Sequence, residues 1–255
     1  MSMKEDRQAL GLRLFDMRDN LTEREITILS GFLEKGVMTR DDARVFAKLS
    51  RVSKMPEFSF SLPRLITCPG SQDSEVCAKC YASRGRYLWD NVKLTTLDRL
   101  EDTKKDTWVL KMAIALFPRK WHRWHDMGDI YDLTYMGKIA EVCALTPQTR
   151  HWIPTKVWRL PWARKGLKAL GGLDNVTVRW SGTQFVRGRV KEFGEFGEDV
   201  IGGVVLKGRR PSLMDTRMAA QGEYLICPAH EQEGRCGQCR ACWYPEHRMV
   251  AYLYH

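Results

Sequence analysis

The stretch FSFSLPRLITCPGSQDSEVCAKCYASRGRY, residues 58–87, decides how the chain is read. Its opening alternates apolar and small polar residues, the pattern of a β-strand with two unlike faces. The strand runs directly into Cys68, with Cys77 and Cys80 close behind. Thiols gathered at the carboxyl end of a strand point to metal chemistry. The skeleton is Cys, Pro, seven residues, Cys, two residues, Cys; it recurs as CPAHEQEGRCGQC at residues 227–239, where Cys242 adds a fourth thiol.

The rest of the chain sets bounds on that chemistry. Its 255 residues, 44% of them hydrophobic, suffice for one sizeable core, either an α/β domain of barrel size or a smaller domain with an extension. No apolar run reaches the length of a membrane span, and the first residues, MSMKEDRQ, lack the apolar centre of a signal peptide. The expected setting is cytoplasmic. A formal charge of +10 favours anionic partners, nucleic acid first among them, although solubility alone accounts for it equally well.

Eight cysteines in a chain without an export signal are expected as reduced thiols. All but Cys143 lie in the two short clusters. Disulfides do not need such crowding, because a staple gains most by closing a long loop. Metal ligation does, since several sulfurs must converge on one small centre. Cys143, in IAEVCAL, falls on an apolar helical face and reads as core.

Residues 1–51 read as a helical extension. Thr22 and Glu25 form a capping box ahead of a helix that Gly36 closes, and TRDDARVFAKLS supplies a second cap and a short helix. Residues 52–255 alternate strand and helix. After FSFSLPRLIT come a long amphipathic helix or two over DNVKLTTLDRLEDTKKDTWVLKMAIALF and a strand in RKWHRWHDMGD. TYMGKIAEVCAL and LPWARKGLKALGG read as helices; RHWIPTKVW, VTVRWSGTQF, DVIGGVVLKG and MVAYLYH read as strands. About six strands separated in this way predict an α/β fold with a parallel sheet or partial barrel. Ligands in such folds sit at the carboxyl ends of the strands. Cys68–Cys80, His125–Asp129, Thr155 and Ser181–Gln184 all fall there.

Three thiolates at 68, 77 and 80 leave one metal position open. A structural zinc would take a fourth ligand such as His122 or His125; a [4Fe–4S] cluster would keep one iron free for a small molecule. An odd spacing on a strand puts His122 and His125 on opposite faces, against joint ligation. Cys227, Cys236, Cys239 and Cys242 complete a shell on their own, so His230 and His247 are not required. Their spacing suits a second [4Fe–4S] cluster, structural or electron-relaying, with a four-cysteine zinc site as the alternative.

A cysteine triad after the first strand of a partial α/β barrel resembles the radical S-adenosylmethionine (SAM) superfamily. More narrowly, SKMPEFSFSLP, TCPG, CAKCYASRGRY, RWHDMGD and the closing VAYLYH, in that order, resemble a group of small phage-encoded proteins. The resemblance implies a partial (β/α)6 barrel with a C-terminal cysteine-rich cluster loop. It further implies that Cys68, Cys77 and Cys80 hold a [4Fe–4S] cluster that SAM chelates and that reductively cleaves it. An electron donor such as flavodoxin or ferredoxin would supply the reducing electron. Met127, Gly128 and Asp129 stand where the superfamily has a turn that binds the SAM amino group. Two features depart from its pattern. Eight residues separate the first two cysteines where the superfamily has three, and Lys79 precedes the last cysteine where an aromatic usually contacts adenine, with Tyr81 following it instead.

His125 is a candidate contact to cofactor or substrate. Thr155 with Lys156, and Arg179, Ser181 and Gln184, are polar groups at strand ends, suited to a cofactor's ribose or carboxylate and equally to plain solvation of a loop. RKWHRWH, RWSGTQFVRGRVK and KGRRP mix cations with aromatics or glycines, as nucleic-acid surfaces and ordinary basic loops both do. Trp152, Trp158 and Trp162 read as core, and the glycines of GEFGED as turns. Neither a Ser-His-Asp order nor an HExxH motif is present. Two functions remain: a radical SAM enzyme modifying a nucleotide, nucleic acid or peptide, or a non-catalytic zinc- or cluster-stabilised nucleic-acid-binding protein.

Overall fold

The structure is a computed structural model and describes residues 3–196 and 200–254. Three helices open it: α1 (Met3–Phe15), α2 (Glu23–Lys35) and α3 (Arg40–Phe46). There follow β1 (Ser59–Phe60), the one-turn α4 (Glu75–Ala78), α5 (Asp90–Lys104), α6 (Trp108–Leu116), β2 (Trp121–Trp124) and α7 (Leu133–Leu145). The chain continues through β3 (Arg150–Thr155), α8 (Pro161–Gly171), β4 (Val176–Val186), β5 (Gly202–Leu206), α9 (Leu213–Ala220), β6 (Leu225–Ile226) and β7 (Met249–Leu253).

The strands form one parallel seven-stranded sheet in the order β1-β2-β3-β4-β5-β7-β6. Each of the first four connections moves one place in the same direction. Because parallel crossovers are right-handed, repeated steps in one direction lay their helices on one face. Only the step from β6 back to β7 reverses, and the same rule sends that connection, residues 227–248, to the opposite face. Packing agrees. Trp124, Ile153 and Val178 join the core under the helices, whereas Trp121, Trp152 and Val250 of β7 pack with Trp243 and Cys242 of the returning segment.

The expected α/β class with a parallel sheet is therefore present, and the sheet is open: β1 and β6 are its two edges. Two details differ from expectation. A short seventh strand, β6, precedes the second cysteine set. FSFSLPRLIT contributes only Ser59–Phe60 to the ladder, because Pro63 has no N–H to donate and the chain turns there, Thr67 donating back to the Pro63 carbonyl. The DNVK–IALF segment is two helices, α5 and α6, the second buried at every position. In GEFGED, Gly194 begins a short 3-10 turn, and the reading at Gly197 lies outside the described residues.

The N-terminal helices form at their sequence signals. Thr22 and Glu25 make the capping box reciprocally, and Gly36 closes α2 with φ of 68°. Leu10, Leu14, Leu29 and Phe32 share one continuous core with Phe60, Trp124 and Ile153. An ionic tie crosses this contact. Lys111 of α6 donates at 2.7 Å both to Glu25 of α2 and to Asp102 of α5, all three being buried. Burial acts to raise both carboxyls, but the Lys111 ammonium, helped by Thr22 at Glu25 and by Lys48 and Lys105 at Asp102, outweighs it, and both lie below their ordinary values.

Stability from such depressed carboxyls is present above their unfolded values and is lost as pH falls through the lowered folded ones. Lys111→Met removes the cation that two buried carboxylates share, Asp102 keeping Lys105 at 3.1 Å and Lys48 at 3.5 Å, and should cost about 3 kcal/mol by urea unfolding at neutral pH. The loss should shrink in acid; a pH-independent loss would contradict the tie.

Candidate metal centre at the carboxyl edge of the sheet

All seven strands run the same way, so their carboxyl ends share one edge. The first cysteine loop is built across it. Cys68 begins a 3-10 turn over Pro69–Ser71. Gly70 packs so tightly on the loop after β3 that an added Cβ would lie 2.5 Å from the Lys156 carbonyl oxygen. Arg159 donates to the carbonyls of Gly70 and Gln72. Ser74 caps α4 by accepting from the Cys77 amide at 3.1 Å, and its hydroxyl donates to the Thr183 carbonyl of β4 at 3.1 Å. Glu75 accepts from the Phe185 amide. The loop thus reaches from β1 to β4, and a surface depression of about 440 Å³ gives solvent access to Cys77 between Asp73, Ser74 and Glu75.

Cys68, Cys77 and Cys80 are free and partly exposed. They are neighbours electrostatically: burial and then the Asp129 carboxylate push Cys68 up to about 12, and Cys77 and Cys80 add to the rise. As the side chains stand, no group of three or more His, Cys, Asp or Glu among the described residues is arranged to hold a metal ion. The chemistry of the set suits a wider centre, because the thiolates of a [4Fe–4S] cluster bind separate irons and do not crowd one ion.

The turn after β2 lies beside these thiols. Gly128 has φ of 87°, and a Cβ there would lie 2.6 Å from that of Leu62, so both conformation and space require glycine. The Met127 carbonyl accepts from the Leu62 amide at 2.8 Å, and the Met127 side chain is buried. Asp129 fastens the ends of β2 and β3: one carboxylate oxygen accepts from the Thr155 hydroxyl at 2.6 Å and the Ile130 amide at 2.7 Å, the other from the Lys156 amide at 2.8 Å. Burial raises its pKa against these donors. Tyr81, an exposed residue, donates its hydroxyl to the Asp126 carbonyl.

The remaining candidates go elsewhere. His125 lies past the end of β2, its Nε2 2.8 Å from the Tyr135 hydroxyl of α7, and burial with the nearby Arg123 charge depresses it to about 3. His122 packs on Trp124 and His151. The expected opposite faces do not occur, because the strand ends at Trp124 and the alternation ends with it. Arg179 is wholly buried and donates to the carbonyls of Gly202, Ala241, Tyr244, His247 and Arg248. It clamps the returning segment onto the sheet. The Ser181 carbonyl accepts from the Trp158 indole at 3.1 Å, and Gln184 is exposed where the β4–β5 register shifts. The rings of RKWHRWH are buried, so Trp121 and Trp124 offer no base-stacking surface. Trp152 and Trp158 are core, as expected.

The second cysteine set is carried by the returning segment. The Cys227 amide donates to the Ala251 carbonyl of β7, the Cys236 amide to the Lys54 carbonyl, and buried Cys242 places its sulfur 3.2 Å from the Tyr252 hydroxyl. The four thiols are free. Burial raises Cys236, and it raises Cys242 to about 11. His230 turns to the Cys227 carbonyl at 2.9 Å. Between the two sets lies Arg123, stacked 4.6 Å over Trp152, its charge felt by Tyr81, Asp126, Tyr252 and Cys236 and its buried Nε without an acceptor. Sequence reading missed Arg123. The alternation along Trp121-His122-Arg123-Trp124 carries the signal, since it sets Arg123 on the face opposite Trp124.

The fold and site define an open parallel α/β protein with thiols at the carboxyl edge of its sheet and a second thiol set on the face away from the helices. The chain belongs to the Gene product 88 family, whose model matches residues 35–245 and so spans both cysteine sets. This phage-type family fits the phage-encoded group that the motifs resemble. No curated protein and no solved structure shows a significant match to the chain.

Arg179→Met should leave several buried carbonyls unsatisfied, at about 1–3 kcal/mol each. The expected result is a lowered denaturation midpoint together with early protease cleavage within residues 227–248. Cleavage confined to other segments would show that the clamp is not what holds this one.

Proposed function

We propose that the chain is an iron–sulfur enzyme of radical SAM type, a partial α/β barrel that reductively cleaves SAM at a [4Fe–4S] cluster held by Cys68, Cys77 and Cys80. One observation carries the reading: one loop places three free thiols at the carboxyl edge of a sheet whose parallel strands follow one another in sequence from β1 to β5. That order curls a sheet toward a barrel. Three ligands leave one iron for a small molecule, and the cluster, when bound, supplies the electron that breaks a carbon–sulfur bond of SAM. The chain's own part is to bind, orient and exclude water.

Asp129 fixes the turn beside Cys68 by joining β2 to β3. Tyr81 is the aromatic adjoining the last thiol, in place of the residue before it, where Lys79 stands 5.2 Å over Phe185. Arg123, on Trp152, brings positive charge to the face of the sheet away from the helices. Together with the net charge of +10 it favours an anionic substrate, a nucleotide or nucleic acid. Cys227, Cys236, Cys239 and Cys242 hold an auxiliary cluster, and a flavodoxin or ferredoxin serves as electron donor.

Protein purified without oxygen should be brown, contain iron and sulfide, and release 5′-deoxyadenosine from SAM when reduced. Cys77→Ala should abolish release while the second site stays loaded. Colourless protein holding only zinc would favour a non-catalytic nucleic-acid-binding module, and equal metal loss from both sites would contradict two separate centres.

A further inference from the structure

A second depression, of about 380 Å³, lies at the amino end of β2, the end opposite the thiol edge. Its walls carry Arg7, Arg119 and Lys120 with Phe117, Pro118 and Gln148, and no carboxylate. Arg7 is only 7% exposed; its Nε donates to the Ile114 carbonyl at 3.1 Å, but its buried Nη2 has no acceptor. The buried Nε of Arg119 lacks one as well. Glu57, whose charge reaches Arg119, is engaged by Arg40 at 3.3 Å.

The ordinary explanation for such cations is the helix ends beside them. α2 ends at Lys35 and α6 at Leu116, and each carboxyl terminus carries roughly half a negative charge. Two such ends offset about one of the three cations. The three cations also lie over rings, Arg7 on Phe32, Arg119 on Phe58 and Lys120 on Trp121, but no carboxylate lines the concave site itself, and guanidinium forks pair with planar or tetrahedral oxyanions through two N–H groups at once.

We propose that this depression is a phosphate-binding site, in which Arg7 and Arg119 grip one phosphoryl group and Lys120 adds charge at the rim. Burial and the Arg119 charge lower Arg7 to about 10, so both guanidiniums remain charged at neutral pH and repel each other until an anion lies between them. The site is separate from the thiols and stands whether or not the radical SAM reading does.

The test is binding of inorganic phosphate and of pyrophosphate to the full chain by calorimetry, with thermal unfolding in phosphate or in chloride of matched ionic strength. Phosphate should raise the unfolding midpoint more than chloride does. Arg119→Gln should weaken binding about tenfold or more, the loss of a charge-assisted pair of hydrogen bonds. Lys120→Gln should weaken it less, and Arg209→Gln, at an exposed site outside the depression, should leave it unchanged. A short single-stranded oligonucleotide that displaces phosphate would identify the source as a nucleic-acid backbone; failure to displace it would identify a small phosphate. Phosphate acting no better than chloride would overturn the proposal, as would a full response in both Arg119→Gln and Lys120→Gln or an equal loss in Arg209→Gln.

Discussion

Strand direction governs everything else in this molecule. Parallel pairing throughout puts every carboxyl end on one edge, and right-handed crossovers that step one way put the helices on one face. A loop leaving β1 then has nowhere to go but across that edge, where it meets the ends of β2, β3 and β4. Leu62 on Met127, Gly70 on Lys156 and Ser74 on Thr183 record those meetings as hydrogen bonds and close backbone contact. The single reversal, from β6 to β7, carries the second thiol set to the bare face of the sheet. Two similar cysteine skeletons thereby acquire unlike surroundings from topology alone.

Burial of charge is the other organising feature, and it is used structurally in two places. Lys111 joins Glu25 to Asp102 under the N-terminal helices, and Arg179 gathers carbonyls from β5 and the returning segment. Each is a cation surrounded by acceptors, so removal strands groups that water cannot reach. Arg123 differs from both. It rests on Trp152 among tyrosines and, like Arg179, leaves its buried Nε without an acceptor.

Local signals were legible in the sequence wherever the cause was local. The Thr22–Glu25 capping box, the Gly36 stop, the strand positions and the thiols at a strand end follow from residues a few places apart. Pro63 and the break at Lys105–Thr107 shortened or split elements whose apolar pattern continued past them. What could not be read were roles set by distant chain. Arg179 stood in the sequence as one polar residue at a strand end, and only the return of residues 227–248 makes it a clamp. His125 was placed by strand alternation, which ceases one residue earlier.

The central claim is that three thiols at the carboxyl edge hold an iron–sulfur cluster with one iron open to SAM. Electron paramagnetic resonance of the reduced protein, recorded with and without SAM, tests it most directly. The account predicts the signals of two clusters, one of which shifts when SAM is added and is missing from Cys68→Ala. A spectrum that SAM leaves untouched, or a protein with no cluster signal at all, would contradict it.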